Sequence, residues 1–178
     1  QATRFRLYHA EAGDPRLREA TRLVMTPQWT WQQHAPHGQW QVHAGLHAVL
    51  TDQVGREDEA VVPWLTVKRH WWWQVMPSHR SNAWSWFVEP SLMFHVAPNV
   101  HQDQLPLLDT YAPDLDMLSM LDDRRFLGFD RYGDAEDVTL AWTNHWQAPG
   151  TSSSILTWQL ARRATLKSHR VCLTPTCS

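Results

Sequence analysis

Residues 39–50 alternate without interruption. Trp40, Val42, Ala44, Leu46, Ala48 and Leu50 fall on one side, and Gln41, His43, Gly45, His47 and Val49 fall on the other. A period of two is the spacing of an extended chain, because successive side chains of a strand point to opposite faces. No helix can present this pattern on one side, so the segment is predicted to be a long half-buried strand with Trp40 in the core. Residues 138–146 repeat the pattern, with Val138, Leu140 and Trp142 opposite Thr139, Ala141 and Thr143. That places Trp142 in the core as well.

Three further runs read as strands. Residues 61–76 hold Trp64, Val67 and the triplet Trp71, Trp72 and Trp73, and residues 83–97 hold Trp84, Trp86, Phe87 and Phe94. Within the second of these, Glu89 and Pro90 predict a bulge or edge break, since proline cannot donate to a ladder. Residues 153–166 supply a last strand, and residues 3–8 a short opening one. Residues 51–60, 77–82 and 148–151 read as connections.

Two helical segments are expected. Asp14 and Pro15 form an N-cap and first-turn pair, Leu17, Ala20, Leu23 and Val24 follow at helical spacing, and Pro27 ends the run. Residues 114–123 align Leu115, Leu118 and Leu121 on one side. Residues 28–38 read as a loop or irregular edge, within which Trp29 and Trp31 would share a face if extended. The predicted class is α+β: a single domain over 1–178 with a mostly antiparallel sheet of five to six strands and one or two helices. A β-sandwich or barrel-like all-β fold is the alternative. Residues 109–137 form an acidic insert, with nine acids against three Arg, and 167–178 a short tail.

Composition narrows function mainly by exclusion. The 178 residues are 43% hydrophobic and 19% charged, which excludes intrinsic disorder. No apolar stretch approaches the length of a membrane-spanning helix. A net charge of −2 lacks the basic excess of a duplex-binding protein. The seven Gly are scattered, so no phosphate-cradling loop exists and no nucleotide partner is expected. The motifs G-x-S-x-G, H-E-x-x-H and C-x-x-C are missing, and no solenoid-length repeat occurs.

What remains is twelve Trp and eleven His. Trp is large and carries one N–H that needs an acceptor, so twelve are not easily all buried. Trp29, Trp31 and Trp72 are the candidates for an exposed binding surface. The first two sit in a polar stretch, and Trp72 shares a strand face with Lys68 and His70. His43 and His47 share a face, and a neighbouring strand could bring His70 beside them as metal ligands. The alternative for all three is solvent-facing or hydrogen-bonded imidazole.

His101, Asp103 and His145 follow the order H-x-D…H, in which two imidazoles and a carboxylate form one face of a non-haem iron centre. Arg162 or Arg163 could then hold a co-substrate carboxylate. This pattern resembles the iron- and 2-oxoglutarate-dependent dioxygenases, and the resemblance implies iron as cofactor. Asp130, Asp134, Glu136 and Asp137 around Gly133 offer a calcium reading, or a solvated acidic loop. Cys172 and Cys177 could close a short disulfide loop across Pro175. The Gln1 start together with this pair suggests a processed product or fragment, with an extracellular or periplasmic location.

The function class expected from these features is a non-catalytic binding or assembly subunit, without cofactor. Exposed aromatic and acidic surface would contact a protein partner or a glycan. The rival class is a metal-dependent enzyme using His101, Asp103 and His145 with iron or another transition metal.

Overall fold

The computed structural model describes residues 2–5, 20–53, 56–76, 84–102, 105, 131–149, 154–168 and 170–171. Nine strands run in chain order: β1 (Ala2–Phe5), β2 (Ala20–Met25), β3 (Gln28–Ala35), β4 (Gly38–Gln53), β5 (Arg56–Trp71), β6 (Trp73–Met76), β7 (Ser85–Ala97), β8 (Ala135–Gln147) and β9 (Ser154–Thr165). All belong to one antiparallel sheet of order β1-β2-β4-β5-β7-β8-β9, with β3 also on β4 and β6 also on β7.

The α+β expectation is therefore overturned: the described residues contain strands and no helix. Leu23 and Val24, read at helical spacing, lie in β2, where they pair with Leu50 and Val49. Spacing alone did not separate the two periods in a run this short, and the long β4 partner decided it. The predicted helix over 114–123 lies outside the described residues. Residues 28–38, read as a loop, form β3 and a two-residue turn into β4. The expected connection over 51–60 is mostly strand, because β4 runs on to Gln53 and β5 starts at Arg56.

Proline explains where the sheet is interrupted. The pairs Ala20 with Gln53 and Gln28 with Gly45 keep one register against β4. β2 and β3 are thus one line of strand, broken at Thr26 and Pro27. Pro27 lacks an N–H, although its carbonyl still accepts from the Leu46 N–H at 3.1 Å. Likewise β5 and β6 share one register against β7, from His70 opposite Ser91 to Trp73 opposite Val88. The gap falls at Trp71 and Trp72, where the facing residues include Pro90. β7 itself runs unbroken through Pro90, so the interruption expected there is transferred to its neighbour. The result is a meander of consecutive hairpins, with β4 and β5 at 16 residues each. These are far longer than the roughly 5–6 residues usual in globular domains.

The register sorts every strand residue onto one of two faces. One row reads Trp31, Val42, Val67, Phe94, Val138 and Ala164 across six strands. The next row, on the opposite face, reads Thr30, His43, Thr66, His95, Asp137 and Thr165.

Burial is inverted relative to these chemistries. Thr66, His95, Thr139 and Asp137 are buried, while Trp40 is 42% exposed and Trp142 is 41% exposed. The expectation that Trp40 and Trp142 form the core is thus overturned. The alternation was read correctly, but the side that is covered is the polar one.

Cover for the polar face comes from the stretch between β7 and β8. Leu105 packs with Val24, Val49 and Ala60, and Tyr132 packs with Val62 and Ala97. The Gln102 side chain holds Tyr132 from both sides, donating to its carbonyl at 2.9 Å and accepting from its N–H at 2.8 Å. Asp134 accepts from the Arg170 and Val171 backbone N–H groups at 2.7 and 2.9 Å, tying the segment after β9 to the same end.

Candidate functional site

The most unusual feature of the molecule is its apolar face. Leu23, Trp29, Trp31, Trp40, Leu46, Leu50, Val61, Leu92, Phe94, Leu140, Trp142, Leu156, Trp158 and Leu160 are all at least 38% exposed. The register places all of them on the same side of the sheet. Single exposed apolar side chains are ordinary, but a continuous sheet face of them exceeds what a water-soluble monomer presents. The face demands an apolar environment.

It is also bounded. On β4 the apolar positions run from Trp40 to Leu50 and end at Asp52, which pairs with Glu57, next to Glu59 opposite Leu50. These acids and Leu23 line an open depression of about 550 Å³. Towards the other end the face is rich in Trp. Trp86 and Trp146 stack with centroids 5.8 Å apart and planes 3° from parallel, and the Trp86 indole N–H donates to the Asn144 side-chain carbonyl at 3.0 Å. Arg69 stands among them, its guanidinium carbon 5.0 Å from the Trp40 centroid and 5.2 Å from that of Trp71.

The polar face carries amides, hydroxyls and imidazoles. Gln32 donates to Gln39 at 2.9 Å, Gln74 to Ser85 at 3.2 Å, and Thr30 meets His43 at 3.3 Å. Glu89 lies between two imidazoles, 3.3 Å from His70 Nε2 and 3.5 Å from His145 Nε2. Deeper, Thr66 Oγ1 and His95 Nδ1 are 2.8 Å apart, and the Tyr132 ring stacks on Trp64 at 6.3 Å. The surface can hydrogen-bond a hydrated, polyhydroxylated molecule, with the Glu89 carboxylate set among its groups near the Trp-rich end.

The sequence-predicted residues distribute as follows. Trp29 and Trp31 share the apolar face and are 58% and 41% exposed. Trp72 lies in the gap between β5 and β6 on the polar side, half-buried, with its ring edge-on to His70 at 5.8 Å. His43, His47 and His70 share the polar face but do not converge. His43 meets Thr30, His47 tilts against Tyr132 at 5.5 Å, and His70 meets Glu89.

His101 follows the end of β7 at Ala97, whereas His145 pairs with Phe87 near the beginning of that strand. The structure therefore sets these two imidazoles at opposite ends of the sheet. Asp103 lies outside the described residues, as do Asp130, Cys172 and Cys177. Among the described residues, no three His, Cys, Asp or Glu side chains are grouped to hold a metal ion. Arg163 donates to Thr139 at 3.2 Å on the polar face, and Arg162 is exposed on the apolar one.

Sequence reasoning missed Arg69, Glu89, Gln102 and Asn144. Arg69 had a readable signal: it is the cation that interrupts the alternating apolar series Val61, Pro63, Leu65, Val67 on β5. Gln102 had none, because its partner Tyr132 is thirty residues away.

Comparison with known proteins gives one consistent answer. The family model described as "LptD: LPS transport system D" matches residues 2–178. The LPS-assembly protein LptD of Alkalilimnicola ehrlichii is 29% identical over 186 aligned residues, covering 97% of this chain and 23% of the relative. That of Burkholderia thailandensis is 30% identical over 89 residues, covering 50% of this chain and 11% of the relative. That of Pseudomonas syringae pv. syringae is 36% identical over 59 residues, or 33% of this chain and 6% of the relative. The chain thus spans about a quarter, at most, of the length of these relatives.

Proposed function

Because the chain belongs to the LptD family of LPS transport system D, we propose that it forms part of the wall of an outer-membrane β-barrel that moves lipopolysaccharide. Its apolar face meets lipid, and its polar face lines the interior. The role is non-catalytic. The partners are a glycolipid, in place of the free glycan expected from the sequence, and the other subunits of an LPS-assembly complex, which answer to the expected protein partner.

The observation that carries this reading is the match between the apolar face and a bilayer. Trp40 to Leu50 is eleven residues of one strand, about 33 Å at 3.3 Å per residue, or about 25 Å high at the roughly 40° tilt of barrel strands. Outer-membrane barrels carry an apolar band of about 25 Å with aromatic girdles at its limits. The Trp-rich end supplies one aromatic girdle, and the acids Asp52, Glu57 and Glu59 mark the other limit of the band. No helix among the described residues is long and apolar enough to cross a membrane; a barrel crosses with strands.

Orientation follows from the connections. The Trp-rich end carries those over 36–37, 77–84 and 148–153, while the other end carries 6–19, 54–55 and 98–134. Short turns face the periplasm and long loops the exterior in such barrels, which sets the Trp-rich end at the periplasmic side. Trp29 and Trp31 are then lipid contacts, and Trp72 touches the polar portion of the cargo.

The test is flotation. The full-length protein carrying this segment, folded with phospholipid vesicles, is expected to rise with them in a density gradient, with β4 and β5 protected from added protease. Recovery as a water-soluble species at the bottom would refute the reading.

A further inference from the structure

We propose that the polar face carries a sugar subsite at its Trp-rich end, where Trp72 and Phe87 flank Glu89, and that it takes a neutral pyranose ring. The inference rests on the membrane-wall reading and deepens it, naming the portion of the glycolipid that these side chains would hold.

Sheet register brings the group together. His70 faces Ser91 and Trp73 faces Val88, so Trp72 falls opposite Glu89, whose neighbour on the other side is Thr143. Phe87 stands two residues before Glu89 on the same face, between Gln74 and His145. The Trp72 backbone is anchored across the strand break, its N–H donating to the His37 carbonyl at 3.2 Å. The Phe87 ring lies on the His145 imidazole, with centroids 5.1 Å apart and planes 21° from parallel.

These groups are accessible. The side chains of His70 and Glu89 are 33% and 29% exposed, and Trp72 and Phe87 are half-buried. A carboxylate offers about four acceptor positions. The two imidazole nitrogens stand 3.3 and 3.5 Å from the Glu89 oxygens, beyond the roughly 2.7–2.9 Å of a tight charge-assisted bond. They flank the carboxylate and leave it acceptor capacity on an exposed surface.

The mixture of groups selects the ligand. A pyranose has a face of ring C–H groups and a rim of hydroxyls. An aromatic ring packs on the first, and carboxylate, imidazole, amide and hydroxyl groups bond the second. An acyclic polyol lacks the C–H face. A phosphorylated or acidic sugar brings like charge to Glu89, which rejects it. The neutral sugars of a glycolipid are the class that meets both conditions.

The experiment uses the full-length protein in nanodiscs and the oligosaccharide released from lipopolysaccharide by mild acid, before and after removal of its phosphates. Saturation-transfer NMR reads the affinity and the sugar protons that touch the protein. Trp72→Leu and Glu89→Gln are each expected to weaken binding of the phosphate-free form about tenfold, the effect of losing an aromatic anchor or a hydrogen bond to a charged group. Trp72→Leu should also lose saturation at ring C–H protons, and Trp72→Phe should recover most of it. Glu89→Gln should narrow the preference for the phosphate-free form, and Arg162→Gln, on the apolar face, should bind as wild type does. Glu89→Gln preserves the shape of its side chain and carries the test alone where Trp72→Leu does not fold.

Equal affinity of wild type and Glu89→Gln for the phosphate-free oligosaccharide would overturn the proposal. So would tighter binding of the phosphate-bearing form by wild type, or displacement of the oligosaccharide by an equal concentration of sorbitol. Vesicle flotation separates the two levels. If wild type floats and these residues do not affect sugar binding, only the subsite fails; if wild type does not float, the membrane-wall reading fails with it.

Discussion

The Trp64 ring lies over Gly45, so close that a Cβ on the glycine would stand 2.8 Å from Trp64 Cζ2 and equally close to the Pro27 carbonyl oxygen. The two residues face each other across β4 and β5. A ring covering a strand glycine replaces the packing the missing side chain would supply. Gly45→Val should therefore destabilise the folded protein by about 1–3 kcal/mol, as overpacking does. Trp64→Ala in the same background should restore little, because the backbone oxygen of Pro27 stays where it is. Urea unfolding of the vesicle-inserted protein measures both, and a neutral Gly45→Val would show that β3 and β4 part more easily than the ladder suggests.

Gln102 and Tyr132 make the second prediction. Their two hydrogen bonds are buried, and removing the side chain leaves an N–H and a carbonyl of Tyr132 without that partner. Each such loss costs about 1–3 kcal/mol. Gln102→Ala should raise amide exchange at Tyr132 and loosen the cover over Val62 and Ala97 while β8 and β9 keep their protection. Unchanged exchange at Tyr132 would mean that packing alone holds the segment.

The strands were legible in the sequence because alternation is a local signal. The run over 39–50 and the one over 138–146 each correspond to a strand, β4 and β8. What alternation cannot state is which side faces water. Trp40 and Trp142 were assigned to a core on the assumption that the surroundings are aqueous, and with a lipid exterior the same pattern is read in reverse. The helix expected through Leu23 failed for a different reason, since a six-residue strand beside a long partner carries too few turns of pattern to reject the helical period. The candidate site was less legible still. Trp29 and Trp31 were singled out by composition, but Arg69 acquires its meaning only from Trp40, twenty-nine residues earlier, and Glu89 only from His70 and His145.

A charge scan gives the third prediction. Leu46 is 42% exposed, so in a water-soluble protein Leu46→Arg should change stability little. In a membrane wall the same change lies midway along the apolar band and should cost about 2–4 kcal/mol. Gln41→Arg, on the polar face of the same strand, should be tolerated. Folding yield into vesicles over a urea series distinguishes the two positions, and equal tolerance would argue against a lipid-facing Leu46.

The central claim is that alternate residues of β4 meet lipid and the polar interior. Single cysteines placed along 40–44 of the full-length protein, spin-labelled and folded into vesicles, report it through collision with oxygen, which partitions into lipid, and with a water-soluble nickel chelate. The account predicts a period of two: labels at Trp40, Val42 and Ala44 favour oxygen, and labels at Gln41 and His43 favour nickel. A profile without that alternation, or with nickel favoured at Trp40 and Val42, would contradict it.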